Sequence, residues 1–226
     1  MSLAAPLSPP PLRDGDRLTS DEFMRRWEAM PGLKQAELLD GIVYMPSPVS
    51  RRHSDFHVPL SWWLNHYAVF TPGCRAGLEG TWIMGDGDVP SPDLALRILP
   101  EHGGQSRDEG EYTAGAPELV LEVAVSSRAR DLGVKFKLYE RMRVREYLVA
   151  VVSQATFLWH EWTESGFRLI EPDSEGILRS RHFPGLWLDA AALWRLDQPQ
   201  ILTVLQQGLA TPEHAAFVTR LAAKRG

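Results

Sequence analysis

Apolar side chains recur along the chain with two different periods. Spacings of three and four predict helices over roughly residues 20–30, 50–70, 128–143, 199–208 and 212–224. Alternation and short apolar runs predict strands at 36–45, 75–79, 80–84, 93–99, 119–125, 146–152, 156–162 and 167–171. Asp40-Gly41 predicts a hairpin turn, and Pro59 predicts either a kink in the second helix or a helix that begins near it.

The remaining segments are polar or rich in turn residues. Residues 1–17 carry four prolines and little that could pack, which predicts a mobile N-terminal arm. Residues 100–117 combine glycines and charges without an apolar period, which predicts a mobile loop. Residues 18–226 then form a single α/β domain with a mixed sheet.

Composition narrows the class of protein. A chain of 226 residues with 44% hydrophobic and 23% charged residues fits one globular domain. No apolar run is long enough for a membrane span, and the N-terminus lacks the apolar segment of a signal peptide, so we expect a cytoplasmic protein. Cys74 is the only cysteine, which excludes an intramolecular disulfide and a multi-cysteine zinc site.

Two carboxylates occupy unusual positions. Glu122 interrupts the apolar run of residues 119–125, where an uncompensated charge costs several kcal/mol. Asp93 opens the neighbouring predicted strand. Each has an ordinary explanation, an ion pair for Glu122 and a post-proline turn for Asp93. If the two face one another, however, their repulsion requires a cation, and Mg²⁺ is a natural partner for oxygen ligands.

Lys135 follows on the next helix. Its ordinary interpretation is a solvated surface lysine, but it lies at the edge of the packed stripe beside Tyr139. From there its charge could favour a hydroxide nucleophile and offset charge on a phosphoryl transition state.

An ordered set of motifs resembles a known family. Pro92-Asp93, Glu118 to Val123, Asp131 to Lys135 and Glu146-Tyr147 are similar to the Uma-two group of bacterial endonucleases in the PD-(D/E)xK, or restriction-endonuclease-like, superfamily. The family's N-terminal hairpin and helix start are similar to Glu37 to Gly41 and His53. Its C-terminal end is similar to the segment Pro184–Asp189. The likeness covers roughly residues 19–224.

The resemblance implies a restriction-endonuclease-like mixed β-sheet flanked by helices, with an N-terminal hairpin and short C-terminal helices. It implies that Mg²⁺ or Mn²⁺ is bound by Asp93, Glu122 and the backbone carbonyl of Val123, and that a metal-activated water hydrolyses a phosphodiester. The superfamily's lysine usually lies two residues after the glutamate, where this chain has Ala124. Lys135 therefore inherits that role.

The resemblance also suggests roles for residues around this site. Glu37 is an additional candidate ligand or base, and His53 is an outer catalytic candidate.

Residues 128–145 hold seven basic and two acidic side chains, a local charge of +5 within a chain whose net charge is −5. Arg128, Arg130 and Lys137 are the candidates for contacts with the phosphates of DNA, and a solvated helix face is the alternative.

Several rival functions remain to be compared with a DNA endonuclease. His53 and His57 share the spacing of a zinc pair, but no H-E-x-x-H motif surrounds them, and we interpret His57 as a partly buried core residue. The main rival is a nuclease-like fold that binds DNA or assembles without catalysis. The apolar segment 186–205 leads us to expect a homodimer, with packing against its own sheet as the alternative.

Overall fold

The computed structural model describes residues 9–45 and 48–224. The strands, in chain order, are β1 (Glu37–Leu39), β2 (Ile42–Tyr44), β3 (Cys74–Leu78), β4 (Trp82–Ile83), β5 (Leu94–Ile98), β6 (Arg107–Glu109), β7 (Tyr112–Ala114), β8 (Leu119–Ala124), β9 (Glu146–Val151), β10 (Thr156–Thr163), β11 (Gly166–Leu169), β12 (Ile177–Arg179) and β13 (Trp187–Asp189). The helices are α1 (Ser20–Glu28), α2 (Arg51–Val69), α3 (Arg128–Arg130), α4 (Phe136–Arg141), α5 (Ala190–Trp194), α6 (Gln198–Leu209) and α7 (Pro212–Ala223). Short helical turns complete the set: 3₁₀ turns at Pro100–His102 and Val152–Gln154, and a π-helical turn at Asp131–Lys135.

A six-stranded sheet forms the centre of the molecule, in the order β11-β10-β9-β8-β5-β3. Only β8 and β9 are parallel within it, and the other neighbours are antiparallel. Parallel neighbours need a crossover connection, which α3, the π-helical turn and α4 supply. The mixed sheet flanked by helices confirms the predicted fold class.

The two faces of β8 pack against different helices. Leu121 and Val123 belong to the core shared with α2 and the C-terminal helices. Val120 and Ala124 belong to the core shared with α4. Because side chains alternate along a strand, Glu122 points to the same face as Val120 and Ala124. The single carboxylate of this buried strand therefore faces the crossover helix.

The prediction of a structureless loop over 100–117 is wrong. Residues 107–114 form the β6–β7 hairpin, and β7 pairs in parallel with β4. Asp108 of this hairpin accepts a 2.6 Å hydrogen bond from Arg97. The hairpin was missed because its strands have three residues each and β6 is exposed, so backbone pairing holds them without apolar alternation.

The C-terminal apolar segment packs on its own chain. Leu186, Leu188, Leu193, Ile201 and Leu205 are at most 1% exposed and belong to the core on the α2 side of the sheet. The β12–β13 hairpin and α5, which the apolar pattern did not resolve, place them there. The alternative interpretation of this segment is confirmed, and it gives no support to a homodimer.

The packed structure begins before the predicted domain boundary at residue 18. Leu12 is 4% exposed, and the Gly15 N–H donates to the Val43 carbonyl oxygen. The first eight residues of the predicted arm lie outside the described residues.

The second helix begins at Arg51 and contains Pro59, so the alternative start near Pro59 is wrong. Within the described ranges, no helix is both long enough and apolar enough to cross a membrane.

Candidate active site

Asp93 and Glu122 lie on neighbouring strands at the same level. In the antiparallel β5–β8 pair Leu94 is opposite Leu121, so the residue before Leu94 lies beside the residue after Leu121. The Val123 N–H donates a 2.6 Å hydrogen bond to Asp93 Oδ2, which fixes the Asp93 side chain against β8. Asp93, Glu122 and Val123 line one cavity. The two carboxylates are thus close, as the sequence predicted.

Glu122 is buried and paired. Its side chain is 4% exposed, and its Oε1 accepts hydrogen bonds from Lys135 Nζ at 2.9 Å and from the Tyr139 hydroxyl at 3.1 Å. Burial raises the pKa of Glu122 well above its usual range, against the opposing effect of Lys135, and nearby Asp93 raises it further. Among the described residues, no hydrogen bond to Oε2 is found, and Glu122 lines the cavity.

Lys135 is buried rather than solvated, so its ordinary surface interpretation is wrong. Its Nζ lies 2.9 Å from both Glu122 Oε1 and Glu37 Oε1. Burial alone would lower the pKa of Lys135, but the carboxylates around it outweigh burial and raise the pKa. Lys135 therefore remains charged and joins β8 to β1.

Glu37 enters the site from β1. Its Oε1 accepts a 2.9 Å hydrogen bond from the Ser91 N–H as well as the contact from Lys135. Its Oε2 lies 3.6 Å from Arg130 Nη1. The Glu37 carboxylate thus contacts both the segment before β5 and the crossover helix.

A π-helical turn positions Lys135. The predicted helix 128–143 is interrupted by Asp131–Lys135, so its first part is α3 and its last part is α4. The Tyr147 hydroxyl donates a 2.9 Å hydrogen bond to the Asp131 carbonyl oxygen inside this turn. π-helical turns are rare and concentrate at functional sites. The sequence did not predict this turn, because the apolar pattern follows the 3.6-residue period of an α-helix and gives no sign of the one extra residue in a π-helical turn.

Asp131 is a buried carboxylate that the sequence analysis assigned to no role. It is 1% exposed, lines the cavity and accepts a 2.5 Å hydrogen bond from Ser127 Oγ. Burial is the main cause that raises its pKa to about 6. In the sequence, the position of Asp131 one helical turn before Lys135 was the feature that could have suggested a role in the site.

Two histidines of α2 approach Asp93. His53 Nε2 lies 3.6 Å from Asp93 Oδ1, and His57 Nε2 lies 3.2 Å from the Asp93 backbone carbonyl oxygen. One potential ligand atom from each of the three residues lies within 4.8 Å of the others. His57 is half-buried, as interpreted from sequence, and it also adjoins the site.

The cavity has a volume of about 300 Å³ and is strongly acidic. Two cationic side chains, Arg130 and Lys135, line it. Five carboxylates line it as well: Glu37, Glu79, Asp93, Glu122 and Asp131. This excess of negative charge favours a bound cation.

The residues present fit a divalent metal ion. Asp93 Oδ2 and Glu122 Oε1 accept hydrogen bonds from protein donors. The second oxygens of these two cavity-lining side chains, Glu122 Oε2 and Asp93 Oδ1, are the candidate ligands, and Asp93 Oδ1 lies 3.6 Å from His53 Nε2. Hard divalent cations prefer carboxylate oxygens, and imidazoles such as those of His53 and His57 extend the set to Mn²⁺. The hydrogen bond of Val123 involves its N–H, so ligation by its carbonyl oxygen stays a prediction.

The three basic residues proposed for nucleic acid occupy different surroundings. Arg130 lines the cavity and lies over the Tyr44 ring, with 5.1 Å between its guanidinium carbon and the ring centroid. Arg128 and Lys137 are exposed and lie outside the cavity lining. The structure therefore brings Arg130 to the acidic cluster and leaves the other two at the surface of the crossover helix.

The mixed sheet flanked by helices thus places two carboxylates, Asp93 and Glu122, and Lys135 around one cavity. The sequence model of the Uma2 family, described as "Putative restriction endonuclease", matches residues 20–191. The chain belongs to this family. No curated protein sequence matches it.

A solved structure is similar over most of the chain. It is described as a "putative nuclease belonging to DUF820" from Anabaena variabilis ATCC 29413. The two chains are 16% identical, the TM-score is 0.60, and the match covers 79% of this chain and 98% of the other. At this identity the similarity establishes the shared fold.

Proposed function

We propose that this protein is a Mg²⁺- or Mn²⁺-dependent endonuclease that hydrolyses phosphodiester bonds in DNA. The observation that carries the proposal is the convergence of Asp93, Glu122 and Lys135 in one acidic cavity. An ordinary buried ion pair would need one carboxylate for one lysine. Here carboxylates outnumber cations, which supports a metal site beside the ion pair.

Asp93 and Glu122 would hold the metal ion through Oδ1 and Oε2, together with the Val123 carbonyl oxygen. A divalent cation at this place supplies Lewis-acid polarisation of a phosphoryl oxygen and lowers the pKa of water. The Val123 N–H keeps Asp93 oriented, and the Tyr139 hydroxyl does the same for Glu122.

Lys135 is the electrostatic activator of the proposed reaction. Its charge is fixed by Glu122 and Glu37, so it needs no reorganisation when negative charge develops on a phosphoryl group. Glu37 holds Lys135 from the opposite side and is a second candidate base or ligand. His53, beside Asp93 Oδ1, is a candidate for proton transfer or for a further ligand.

The histidines favour Mn²⁺ over Mg²⁺ as the more effective activator. Imidazole nitrogen is a good ligand for transition metals, whereas Mg²⁺ prefers oxygen. With His53 and His57 next to Asp93, we expect His53→Ala to weaken activation by Mn²⁺ more than activation by Mg²⁺.

A cleavage assay tests the function. Wild type, Glu122→Gln and the matched control Glu164→Gln, which changes an exposed turn residue, are incubated with plasmid DNA or RNA at ~10 mM Mg²⁺ or Mn²⁺, a range typical of weak sites. Wild type and Glu164→Gln should cleave DNA, and Glu122→Gln should not. Equal cleavage by all three, or none by any, contradicts the catalytic proposal.

The second candidate is a nuclease fold that binds DNA without cutting it. The buried ion pair of Lys135 with Glu122 favours this candidate, because such a pair can have a purely structural role. Binding of DNA by wild type without metal-dependent cleavage would establish this alternative.

We also propose a cytoplasmic location, supported by the single free cysteine, Cys74. A homodimer stays a prediction for a nuclease that cuts two antiparallel strands. Light scattering at tens of micromolar would detect a dimer with a Kd of ~1 µM. A monomeric mass at that concentration would reject it.

A further inference from the structure

A second cavity, of about 370 Å³, lies at the other end of the central strands. It is bordered by Glu118 and Arg145, the residues just before β8 and β9, whereas the acidic cavity lies beside Glu122. Glu118 and Glu122 are four residues apart on extended chain, about 13 Å. The two cavities are therefore separate. We call the second one the basic pocket, defined by Arg145, Arg181, His182, Arg220 and Lys224.

The cations of the basic pocket come from three separate segments. Arg145 precedes β9, Arg181 belongs to the loop between β12 and β13, and Arg220 and Lys224 lie at the end of α7. Among the described residues, no carboxylate oxygen lies within 4.0 Å of any of these four side chains. Other arginines, such as Arg97 and Arg179, do pair with carboxylates.

The one carboxylate that lines the basic pocket is already satisfied. Glu118 is 3% exposed, and its two oxygens accept hydrogen bonds from the backbone N–H groups of Ile98 and Gln105. Burial raises the pKa of Glu118. Its hydrogen bonds hold the backbone at Ile98 and Gln105, and its single carboxylate does not neutralise the four cations.

His182 adds a ring nitrogen that has no partner among the described residues. Its Nε2 is buried and makes no hydrogen bond within the part of the chain that the structure describes. Burial, followed by the charges of Arg145, Arg220 and Lys224, lowers its pKa to about 4. The imidazole is thus neutral near pH 7, and the part of the lowering of its pKa that comes from Arg145, Arg220 and Lys224 indicates strongly positive surroundings. A buried polar atom without a partner costs free energy that a ligand could recover.

The loop that carries Arg181 and His182 is fixed in place. Glu146 Oε1 accepts hydrogen bonds from the backbone N–H groups of Arg181, at 2.6 Å, and His182, at 2.8 Å, and Ser180 Oγ donates to the same carboxyl. The pocket is therefore preorganised, and binding a ligand would not have to order this loop.

We propose that the basic pocket binds a phosphate group. Guanidinium groups pair with phosphate through two parallel hydrogen bonds, and a terminal phosphate carries close to two negative charges. Four cations without a neighbouring carboxylate and an unpartnered imidazole nitrogen match such a multiply charged anion better than a single carboxylate. Two of the cations, Arg145 and Arg220, also lie over the rings of Trp162 and Phe217. The phosphate comes either from the end of a nucleic-acid strand or from a small phosphorylated molecule.

Isothermal titration with inorganic phosphate tests the proposal. It is carried out in EDTA at constant ionic strength, so that no metal ion in the acidic cavity contributes. Wild type should bind phosphate saturably with one site per chain. Arg181→Ala and Arg220→Ala should each raise Kd at least tenfold. Arg195→Ala, which removes an exposed arginine outside the pocket, should leave Kd unchanged.

A second titration identifies the source of the phosphate. If a strand end binds, an oligonucleotide with a 5′-phosphate should bind wild type more tightly than the same oligonucleotide with a 5′-hydroxyl, and Arg181→Ala should abolish the difference. If a small molecule binds, a mononucleotide should compete with inorganic phosphate and the two oligonucleotides should bind alike. Absence of saturable phosphate binding, or equal binding by wild type and both pocket variants, overturns the proposal.

Discussion

Lys135 is the residue on which the acidic cavity depends. It contacts Glu122 and Glu37 at 2.9 Å each and is 4% exposed. Removing one partner of a buried ion pair leaves an uncompensated charge, which is usually more costly than replacing both partners. The same arrangement that serves the proposed chemistry therefore stabilises the junction of β1, β8 and the crossover helix.

Lys135→Met should lower the free energy of unfolding by about 3–5 kcal/mol, because two buried carboxylates lose their cation. The double variant Lys135→Met/Glu122→Gln should recover part of this loss. Lys137→Met, at an exposed position two residues beyond the end of the π-helical turn, should change stability by no more than about 0.5 kcal/mol. Denaturant unfolding measures all three. Wild-type stability in Lys135→Met would show that the ion pair does not hold the junction.

Glu146 gives the clearest dependence of stability on pH. Its carboxyl is fully buried, and burial raises its pKa from 4.5 to about 7 despite four hydrogen-bond donors. The native state therefore holds the proton more tightly than the unfolded chain does. The stability contributed in this way is complete below pH 4.5 and is lost as pH rises through about 7.

Unfolding free energies of wild type and Glu146→Gln should consequently diverge with pH. Relative to the variant, wild type should lose about 3 kcal/mol between pH 4.5 and pH 8. Glu164→Gln, in the exposed β10–β11 turn, should follow wild type throughout. A constant difference between wild type and Glu146→Gln across this range would contradict the assigned direction of the pKa.

At the scale of elements, the sequence predicted those elements that bury a continuous apolar pattern. β8 and β9 were predicted correctly because both faces are buried and their residues are nearly all apolar. The β6–β7 hairpin and the π-helical turn were missed, since backbone pairing and a local change of helical pitch leave no apolar period. A single carboxylate in an apolar strand was enough to identify Glu122.

The site was less predictable than the fold. Asp93, Glu122 and Lys135, which line the cavity, became candidates through their unusual places in the pattern and through family motifs. The approach of His57 to Asp93 and the role of Asp131 in the cavity lining were not predicted, because they depend on tertiary packing of α2 and the π-helical turn. Sequence spacing within one element cannot show which side chains of other elements it will meet.

The crossover helix also carries the proposed contacts with DNA. If Arg128 and Lys137 each contact one phosphate, replacing either by Ala should reduce the slope of log Kobs against log salt by about 0.9, similarly for all sequences. Arg75→Ala, on the exposed edge strand β3, should leave the slope unchanged. A filter-binding titration in which Arg128→Ala and Lys137→Ala keep the wild-type slope would return both residues to a solvated surface.

At the scale of the whole molecule, charge is separated between two cavities. The acidic cavity, beside Glu122, attracts cations, and the basic pocket, beside Glu118, attracts anions. The net charge of −5 conceals this separation. A nuclease needs both kinds of surface, because its metal ion and its substrate have opposite charges.

Metal binding to the native state is the most direct test, because it requires no knowledge of the substrate. A ligand at ~10 times its Kd adds about 1.4 kcal/mol to stability, and for a domain of this size each kcal/mol raises Tm by about 2–4 °C. Mg²⁺ or Mn²⁺ should therefore raise the Tm of wild type by roughly 3–6 °C. Asp93→Asn keeps an oxygen that can accept from the Val123 N–H but removes a charge, so it should lose most of this rise. An equal rise in Tm for wild type and Asp93→Asn would show that the metal binds elsewhere and would contradict the proposed site.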